Sequence, residues 1–596
     1  MKNRKWAQLP VLQVLRESLA FPVLRVLSVV PVLPWMLAAC TQPAPPPAPE
    51  SDGAPESRPN LLLIVADDLG YTDIGAYGGE IRTPVLDDLA SQSVMFTNFH
   101  VLPMCAPTRA MLLAGTDHHV AGLGTMFGSN FLPGLEGHTG YETYLHERVA
   151  SLPERLAEVG YRSYMAGKWH LGPDPGQWPV DWGFDRSFVM LPGSGSHMAI
   201  PERVYVENDE WVEPTQEGFY STRTYTDRLI GYIDEFHGDG QPFFVYAAYT
   251  SPHWPLQVPP DFIDLYAGDY DDGYDELRVA RMERAEALGV IPETDPDYFE
   301  PLGPAWEELN SETQAHYARR MELYAAMVEN LDHHVGRLID HLENIGELDN
   351  TVILFMSDNG AATEQMEYNP GFSARIEREN SDNSLENLGA ADSYISYGAN
   401  WAQAATAPFN RFKGFITEGG MLVPAYILHG NGTNPTGLDG QYLSAIDIAP
   451  TLLELAGATI GSTSVQGREV AAITGRSFAR VLGADAAPVY PQDHVFAIEL
   501  HGSRAVRQGR YKLVWEQPAV NTWWPFEVPE RWYSWQLFDL QSDPGERNDI
   551  SAEHPELMRE LIDAWEDYAD ANQVVREVRI NQFERWQVLP ENYPNR

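Results

Sequence analysis

The sequence predicts an α/β fold: a large, mostly parallel or mixed central sheet with helices on both faces, followed by a smaller C-terminal α+β unit with an antiparallel sheet. Three observations predict it. Apolar runs that end abruptly in polar clusters alternate with helical patterns from residue 60 to about residue 460. Those runs are continuous rather than alternating, as expected of strands buried on both faces. Beyond about Gly461 the texture changes to short alternating strands joined by tight turns, closed by an amphipathic helical segment.

Taken in order, residues 1–39 read as a targeting segment. Lys2, Arg4, Lys5, Arg16 and Arg25 precede the apolar run Val26 to Ala39, which is broken by Pro31 and Pro34 and is short for a membrane span. Residues 40–59, with Pro43, Pro45 to Pro47 and Pro49, are expected to form an extended, semi-rigid tether. Asn60 to Val65 is the first buried strand and runs into Ala66-Asp67-Asp68. A helix is expected over Leu86 to Ala90 and another over Leu152 to Val159. The weaker strand Tyr161 to Met165 leads into Gly167-Lys168-Trp169-His170, and Phe243 to Tyr249 leads into Thr250-Ser251-Pro252-His253. Asp261 to Glu312 is acidic, partly helical, and expected as an excursion over the surface. The longest helix is Tyr317 to Ile345, and Val352 to Met356 leads into Ser357-Asp358-Asn359-Gly360.

Residues Ala361 to Ala407 show little periodicity and separate Asp358-Asn359 from Lys413, so a cover over a pocket is expected there. The helix Ile448 to Gly457 closes a main domain assigned to residues 60–460. In residues 461–596 the strands are Val495 to Leu500, Ser503 to Val506, Tyr511 to Val514 and Gln536 to Leu540; a helix over His554 to Tyr568 is expected to pack on them. Strands that alternate with helices make βαβ units. Their polar ends then gather at one edge, where open α/β sheets build their sites.

Composition narrows the function. The chain of 596 residues has 85 Asp+Glu against 40 Lys+Arg, a formal charge of −45. Such a surplus argues against nucleic acid and anionic membrane surfaces as electrostatic partners. A local cluster of basic residues and metal can still hold an anionic substrate.

The stretch Leu102 to Gly115, L-P-M-C-A-P-T-R-A-M-L-L-A-G, organises the rest. Cys105 is one of only two cysteines and heads a C-x-P-x-R pentapeptide with Pro107 and Arg109. The apolar run Met111 to Ala114 reads as helix, which puts Cys105 near a helix N-terminus, where free N–H groups and the dipole favour negative charge. Arg109, four residues on, lies one turn along and can point back to the same spot. Asp67, Asp68, Asp358 and Asn359 offer hard oxygen ligands that suit Ca²⁺ or Mg²⁺ rather than zinc. Lys168 and Lys413 can neutralise developing charge, and His170 and His253 can move protons.

The pentapeptide resembles the sulfatase signature. The longer match C-A-P-T-R-A-M-L-L-A-G-T-D-H-H-V-A-G, together with N-W-A-Q-A-A-T-A-P-F at Asn400 to Phe409, is similar to the bacterial arylsulfatase branch. G-K-W-H-L-G, S-P-H-W-P, F-K-G-F-I-T-E-G-G and the late L-F-D-L segment extend the resemblance from about Arg58 to Trp565. Ala114-Gly115-Thr116 departs from the T-G-R of many members.

The resemblance implies an alkaline-phosphatase-like fold and oxidation of Cys105 to formylglycine by a separate formylglycine-generating enzyme. It further implies a divalent cation, usually Ca²⁺ with Mg²⁺ as the alternative, on Asp67, Asp68, Asp358, Asn359 and residue 105. Hydrated formylglycine attacks sulfur, Arg109 positions its hydroxyl, and Lys168 and Lys413 clamp the sulfate. His253 assists the leaving alcohol or phenol, and His170 removes the second hydroxyl proton so that sulfate departs. The implied substrate is a small aryl or alkyl sulfate ester. Trp169, Trp254, Trp401 and Phe409 hint at aryl or apolar leaving groups.

Leu37 to Cys40, L-A-A-C, resembles a bacterial lipoprotein box, which implies cleavage before Cys40, lipid on its thiol, and a protein exported to the periplasm or cell surface and held on the membrane by that anchor. With Cys40 lipidated and Cys105 modified, no disulfide remains. Two alternatives stay open: a phosphonate monoester or phosphodiester hydrolase of the same fold, and an inactive surface-binding lipoprotein.

Overall fold

Among the described residues, ten strands build the central sheet: β1 (Asn60–Ala66), β2 (Val94–Phe96), β3 (Arg162–Lys168), β4 (Arg186–Met190), β5 (Tyr205–Glu207), β6 (Glu210–Val212), β7 (Phe243–Ala248), β8 (Thr351–Ser357), β9 (Ala425–His429) and β10 (Gly437–Asp439). Their order across the sheet is β10-β2-β9-β8-β1-β7-β3-β4-β5-β6. The middle five, β8-β1-β7-β3-β4, are all parallel, and β9 joins β8 antiparallel. The computed structural model describes residues 58–127, 135, 137–199, 204–214, 218–294, 303–362, 376, 379–483, 487–517 and 534–576. The leader, Cys40 and the tether up to residue 57 lie outside the described residues.

The continuous apolar strands work because each feeds two cores. In β1, Leu62, Ile64 and Ala66 pack on one side of the sheet and Leu61, Leu63 and Val65 on the other. β7 splits the same way, Val245 and Ala247 against Phe244, Tyr246 and Ala248. This is the period of two expected of a pleated strand. Burial of each such aliphatic side chain contributes ~1.5–3 kcal/mol, so a charged residue in mid β1 is not tolerated.

One face carries helices α4 (Ser221–Phe236), α5 (Gly273–Leu288) and α6 (Ser311–Asn344). The other carries α2 (Cys105–Ala114), α3 (Leu152–Ala157) and α8 (Ile448–Leu455); α1 (Pro84–Ser91) and α7 (Ala399–Thr406) complete the α6 face. α6 starts where the Asn310 side chain accepts the Thr313 N–H, an N-cap that satisfies one of the orphan donors. Four more strands, β11 (Val495–Leu500), β12 (Ser503–Gln508), β13 (Tyr511–Trp515) and β14 (Gln536–Asp539), form a separate antiparallel sheet in chain order. Helix α9 (Pro555–Ala571) lays Leu561, Trp565 and Ala569 on Val506, Leu513 and Leu537 of that sheet.

The fold class is the one expected, with three local differences. β3 runs on to Lys168, so that lysine ends a strand rather than following it. Asp261 to Glu312 is more than a surface excursion: its helix α5 buries Arg281, Met282 and Ala285, and Arg281 reaches Asp73 at 2.6 Å. The acidic composition hid this because only one helix face carries the apolar residues. Ala361 to Ala407 contains α7, whose Trp401 is fully buried; residues 363–375, where much of the expected cover falls, lie outside the described residues. No helix among the described residues is long and apolar enough to cross a membrane.

Candidate active site

Four neighbouring parallel strands, β8, β1, β7 and β3, and one helix deliver most of the site. β1 ends at Ala66, so Asp67 and Asp68 follow at its C-terminal end; β8 ends at Ser357 and presents Asp358 and Asn359 beside them. β3, on the far side of β7, presents Lys168 and His170. Cys105 is the first residue of α2, and all ten residues of that helix are buried. A side chain at 167 would place Cβ 1.7 Å from the Ala248 carbonyl oxygen, so only glycine lets β3 approach β7 beside Lys168.

Every predicted site residue converges on one place. Lys168 Nζ lies 2.8 Å from both oxygens of Asp67. Lys413 Nζ lies 2.7 Å from Asp68 Oδ1 and 3.3 Å from His253 Nε2, and that nitrogen is 3.3 Å from Asp68 Oδ2. Asn359 Nδ2 donates to Asp68 Oδ1 at 2.6 Å. Arg109 holds Asp358 through Nε at 2.8 Å and Nη2 at 2.7 Å, and its Nη1 donates to the Lys168 carbonyl at 3.0 Å. Asp67, Asp68, Arg109, Lys168, Asp358 and Asn359 are fully buried.

That much charge in a dry place distorts its own protonation. Burial pushes Asp67 up to about 8, with Asp358 and Asp68 adding to it and Lys168 opposing. Burial also raises Asp358, but Arg109 and the two lysines outweigh it and hold that carboxyl below its usual range. The imidazoles of His170 and His253 sit well below their ordinary value, first through burial and then through the nearby cations. His253 Nδ1 donates to the Trp254 carbonyl at 2.6 Å, so in the neutral ring the Nε2 lone pair faces Lys413. His170 adopts a left-handed backbone, φ 54, a conformation that costs energy outside glycine and clusters at functional sites.

The donor set suits a hard cation. Oxygen, sulfur and nitrogen atoms of Asp67, Asp68, Cys105 and His253 lie within 4.8 Å of one another. Asn359 Oδ1 is buried with no hydrogen-bond partner among the described residues. Three crowded carboxylates and an unused amide oxygen are what a calcium or magnesium ion would satisfy.

The structure also shows support that the sequence alone did not single out. Asp73 accepts from Gly70 N at 2.7 Å and from Tyr324 Oη at 2.6 Å, and Arg281 pairs with it, which props the turn after Asp68. His197 Nε2 lies 2.8 Å from the His253 carbonyl oxygen. These partners come from distant parts of the chain, and no spacing links them. Trp169 and Trp401 are core residues and do not rim the site; of the aromatic residues expected there, Trp254 lies tilted beside His253 at 4.5 Å between centroids.

Comparison with known proteins agrees with this architecture. A model of the Sulfatase family matches residues 59–458. An uncharacterised sulfatase of Schizosaccharomyces pombe is 42% identical over 530 residues, covering 86% of this chain and 93% of that protein. An arylsulfatase of Klebsiella aerogenes is 37% identical over 417 residues, 68% of this chain and 88% of its own. Among solved structures, Ps i-CgsB, crystallised with k-i-k-neocarrahexaose, superposes with TM-score 0.59 at 24% identity over 89% of this chain and 97% of its own. A phosphonate monoester hydrolase of Agrobacterium radiobacter shares the fold at TM-score 0.53 and 19% identity, over 86% and 96%. With a family match over most of its length and relatives this similar, the chain belongs to the sulfatase family and is a sulfuric ester hydrolase of alkaline-phosphatase-like fold.

Proposed function

We propose that this sulfatase hydrolyses aryl and alkyl sulfate esters with a hydrated formylglycine made from Cys105, on a divalent cation held by Asp67, Asp68, Asp358 and Asn359 together with residue 105, Ca²⁺ ahead of Mg²⁺. The observation that carries the reading is the state of Cys105. Its thiol is buried, and burial pushes it up to about 11 in spite of Lys168 and Lys413. A cysteine that attacked as thiolate would need its pKa lowered, not raised. Its place among lysines and carboxylates at a helix N-terminus suits an oxygen nucleophile.

When bound, the cation supplies Lewis acidity to a sulfate oxygen and lowers the pKa of the attacking hydroxyl. Lys168 and Lys413 then neutralise non-bridging oxygens as charge develops. Arg109, fixed by Asp358 and the Lys168 carbonyl, orients the hydroxyl at position 105. His253 protonates the leaving oxygen through Nε2. Its Nδ1 hydrogen bond to Trp254 fixes the ring, and an anionic sulfate between the lysines offsets the two cations that, after burial, hold the imidazole neutral. His170, neutral and with Nδ1 unpartnered among the described residues, serves as base for the second hydroxyl proton.

We propose further that the enzyme is matured by a formylglycine-generating enzyme and acts outside the cytoplasm on a lipid anchor at Cys40. Incorporation of a labelled fatty acid, lost in Cys40→Ser, tests the anchor.

The substrate reading is tested by steady-state kinetics on an aryl sulfate, an alkyl sulfate and an aryl phosphonate monoester, with Ca²⁺, with Mg²⁺ and with chelator. The sulfates are expected to have the higher kcat/KM and to need the cation. A higher kcat/KM for the phosphonate would move the enzyme to the phosphonate hydrolase reading.

A further inference from the structure

We propose that Asp117, His118 and His119, backed by Glu499, form a second metal site, of nitrogen-and-oxygen character, for a borderline ion such as Zn²⁺. The residues belong to the T-D-H-H run that follows Gly115, the residue that ends α2. Nothing in sulfate ester hydrolysis as described uses them.

One ligand atom from each residue, Asp117 Oδ and a ring nitrogen from each histidine, lies within 4.8 Å of the others. His119 Nδ1 is 3.0 Å from Asp117 Oδ1, and His118 Nδ1 is 3.7 Å from that same oxygen. Ligand atoms around a tetrahedral zinc with ordinary bond lengths sit roughly 3.4 Å apart, so these separations bracket the requirement.

The independent observation is His118. Its side chain is fully buried, and neither ring nitrogen makes a hydrogen bond of acceptable geometry among the described residues. The Glu499 backbone lies near the ring without reaching hydrogen-bonding geometry. A buried imidazole with its Nδ1 turned toward a carboxylate, yet too far to bond it, is a costly arrangement without an ion between them.

The surroundings have the form of a metal site's supports. His119 Nε2 is 2.8 Å from Glu499 Oε2, which fixes the Nδ1 lone pair toward Asp117 and His118, the carboxylate–histidine–metal arrangement. Tyr568 Oη donates to Asp117 Oδ2 at 2.9 Å, while Oδ1 accepts the His119 backbone N–H at 2.9 Å and turns its second lone pair to the two rings. Two carboxylates, those of Asp117 and Glu499, balance the charge of a dication. The Asp117 side chain is 16% exposed, which gives the ion a way in. Glu499 lies in β11 and Tyr568 in α9, so the ion would clip the segment after α2 to the C-terminal sheet and helix.

The test is a titration of chelator-treated, full-length protein with Co²⁺ in excess Ca²⁺, which keeps the oxygen-rich active site filled. We expect a single equivalent of Co²⁺ to give the visible ligand-field absorption of a four-coordinate, imidazole-ligated ion, and Zn²⁺ to displace it. His118→Ala and Asp117→Asn, checked for native circular dichroism, are expected to abolish the band. Glu499→Gln is expected to weaken Co²⁺ binding about 10- to 100-fold. Absence of the band in the unaltered protein, or its persistence in His118→Ala, overturns the proposal.

Discussion

Arg109 and Asp358 are joined by two contacts, Nε at 2.8 Å and Nη2 at 2.7 Å, both to Oδ2, with neither side chain exposed. The pair ties the second turn of α2 to the end of β8, and so ties residue 105 to the acid pairs. Removing one member of a buried pair leaves the other charged and desolvated, which costs ~3–5 kcal/mol. Arg109→Ala is therefore expected to lose about that much stability in urea unfolding at pH 7, and its activity with it. Unchanged stability would mean that Asp358 finds another partner.

Lys413 is held from two sides. Gly414 N donates to the Pro103 carbonyl at 2.8 Å, next to the Cys105 turn. Behind it, Glu418 is pinned by Lys512 at 2.7 Å and His100 at 2.8 Å, and Lys512 also reaches Glu546 at 2.9 Å. Lys512→Met in the C-terminal sheet is expected to lower kcat without touching substrate. In a double-mutant cycle with Glu418→Gln the two effects should fall short of additivity by ~0.5–3 kcal/mol. Additive losses would show that the network is not one unit.

Cation binding should be visible without turnover. Ca²⁺ at 100 times its Kd is expected to stabilise the protein by ~2.7 kcal/mol, read as a rise in Tm over the chelated protein. Asp358→Asn and Asp67→Asn should reduce the rise. An equal rise in those variants would place the stabilising ion elsewhere.

His253 should matter most where the leaving group is poor. His253→Ala is expected to slow hydrolysis ~10²–10⁴-fold for an alkyl sulfate and much less for a nitrophenyl sulfate, whose phenolate needs little protonation. Equal losses on both would remove His253 from the proton-donor role.

Stability should also depend on pH through Asp332, far from the site. Its carboxylate accepts the Leu86 and Val85 N–H groups at the start of α1, yet burial raises it from 3.8 to about 7. The folded protein therefore binds this proton more tightly than the unfolded chain. The contribution is full below pH 4 and is lost as pH rises to 7, on the order of 4 kcal/mol in all. Relative to wild type, Asp332→Asn should gain stability between pH 4.5 and pH 7.5 in urea unfolding. A pH-independent difference would contradict the assignment.

The strands and the site segments were legible because β1, β7 and β8 are unbroken apolar runs that end in acids or histidine, a pattern with a single physical meaning. Cys105, Arg109, the acid pairs, Lys168, His170, His253 and Lys413 could be read one motif at a time. The supports could not. Asp73 and Arg281 are 208 residues apart, and His119 and Glu499 are 380 apart. Nothing in either neighbourhood shows that a charged residue will be buried. Trp169 and Trp401 misled for the converse reason, since a ring near a motif in sequence can point into the core.

The proposed nucleophile is an oxidised Cys105. Mass spectrometry of the peptide spanning Leu102 to Gly115, from protein made in its native host, tests this most directly when paired with an aryl sulfate assay of the same sample. The expected result is an aldehyde in place of the thiol at position 105, and no sulfate release from Cys105→Ala. A free thiol throughout a folded, fully active preparation would contradict it.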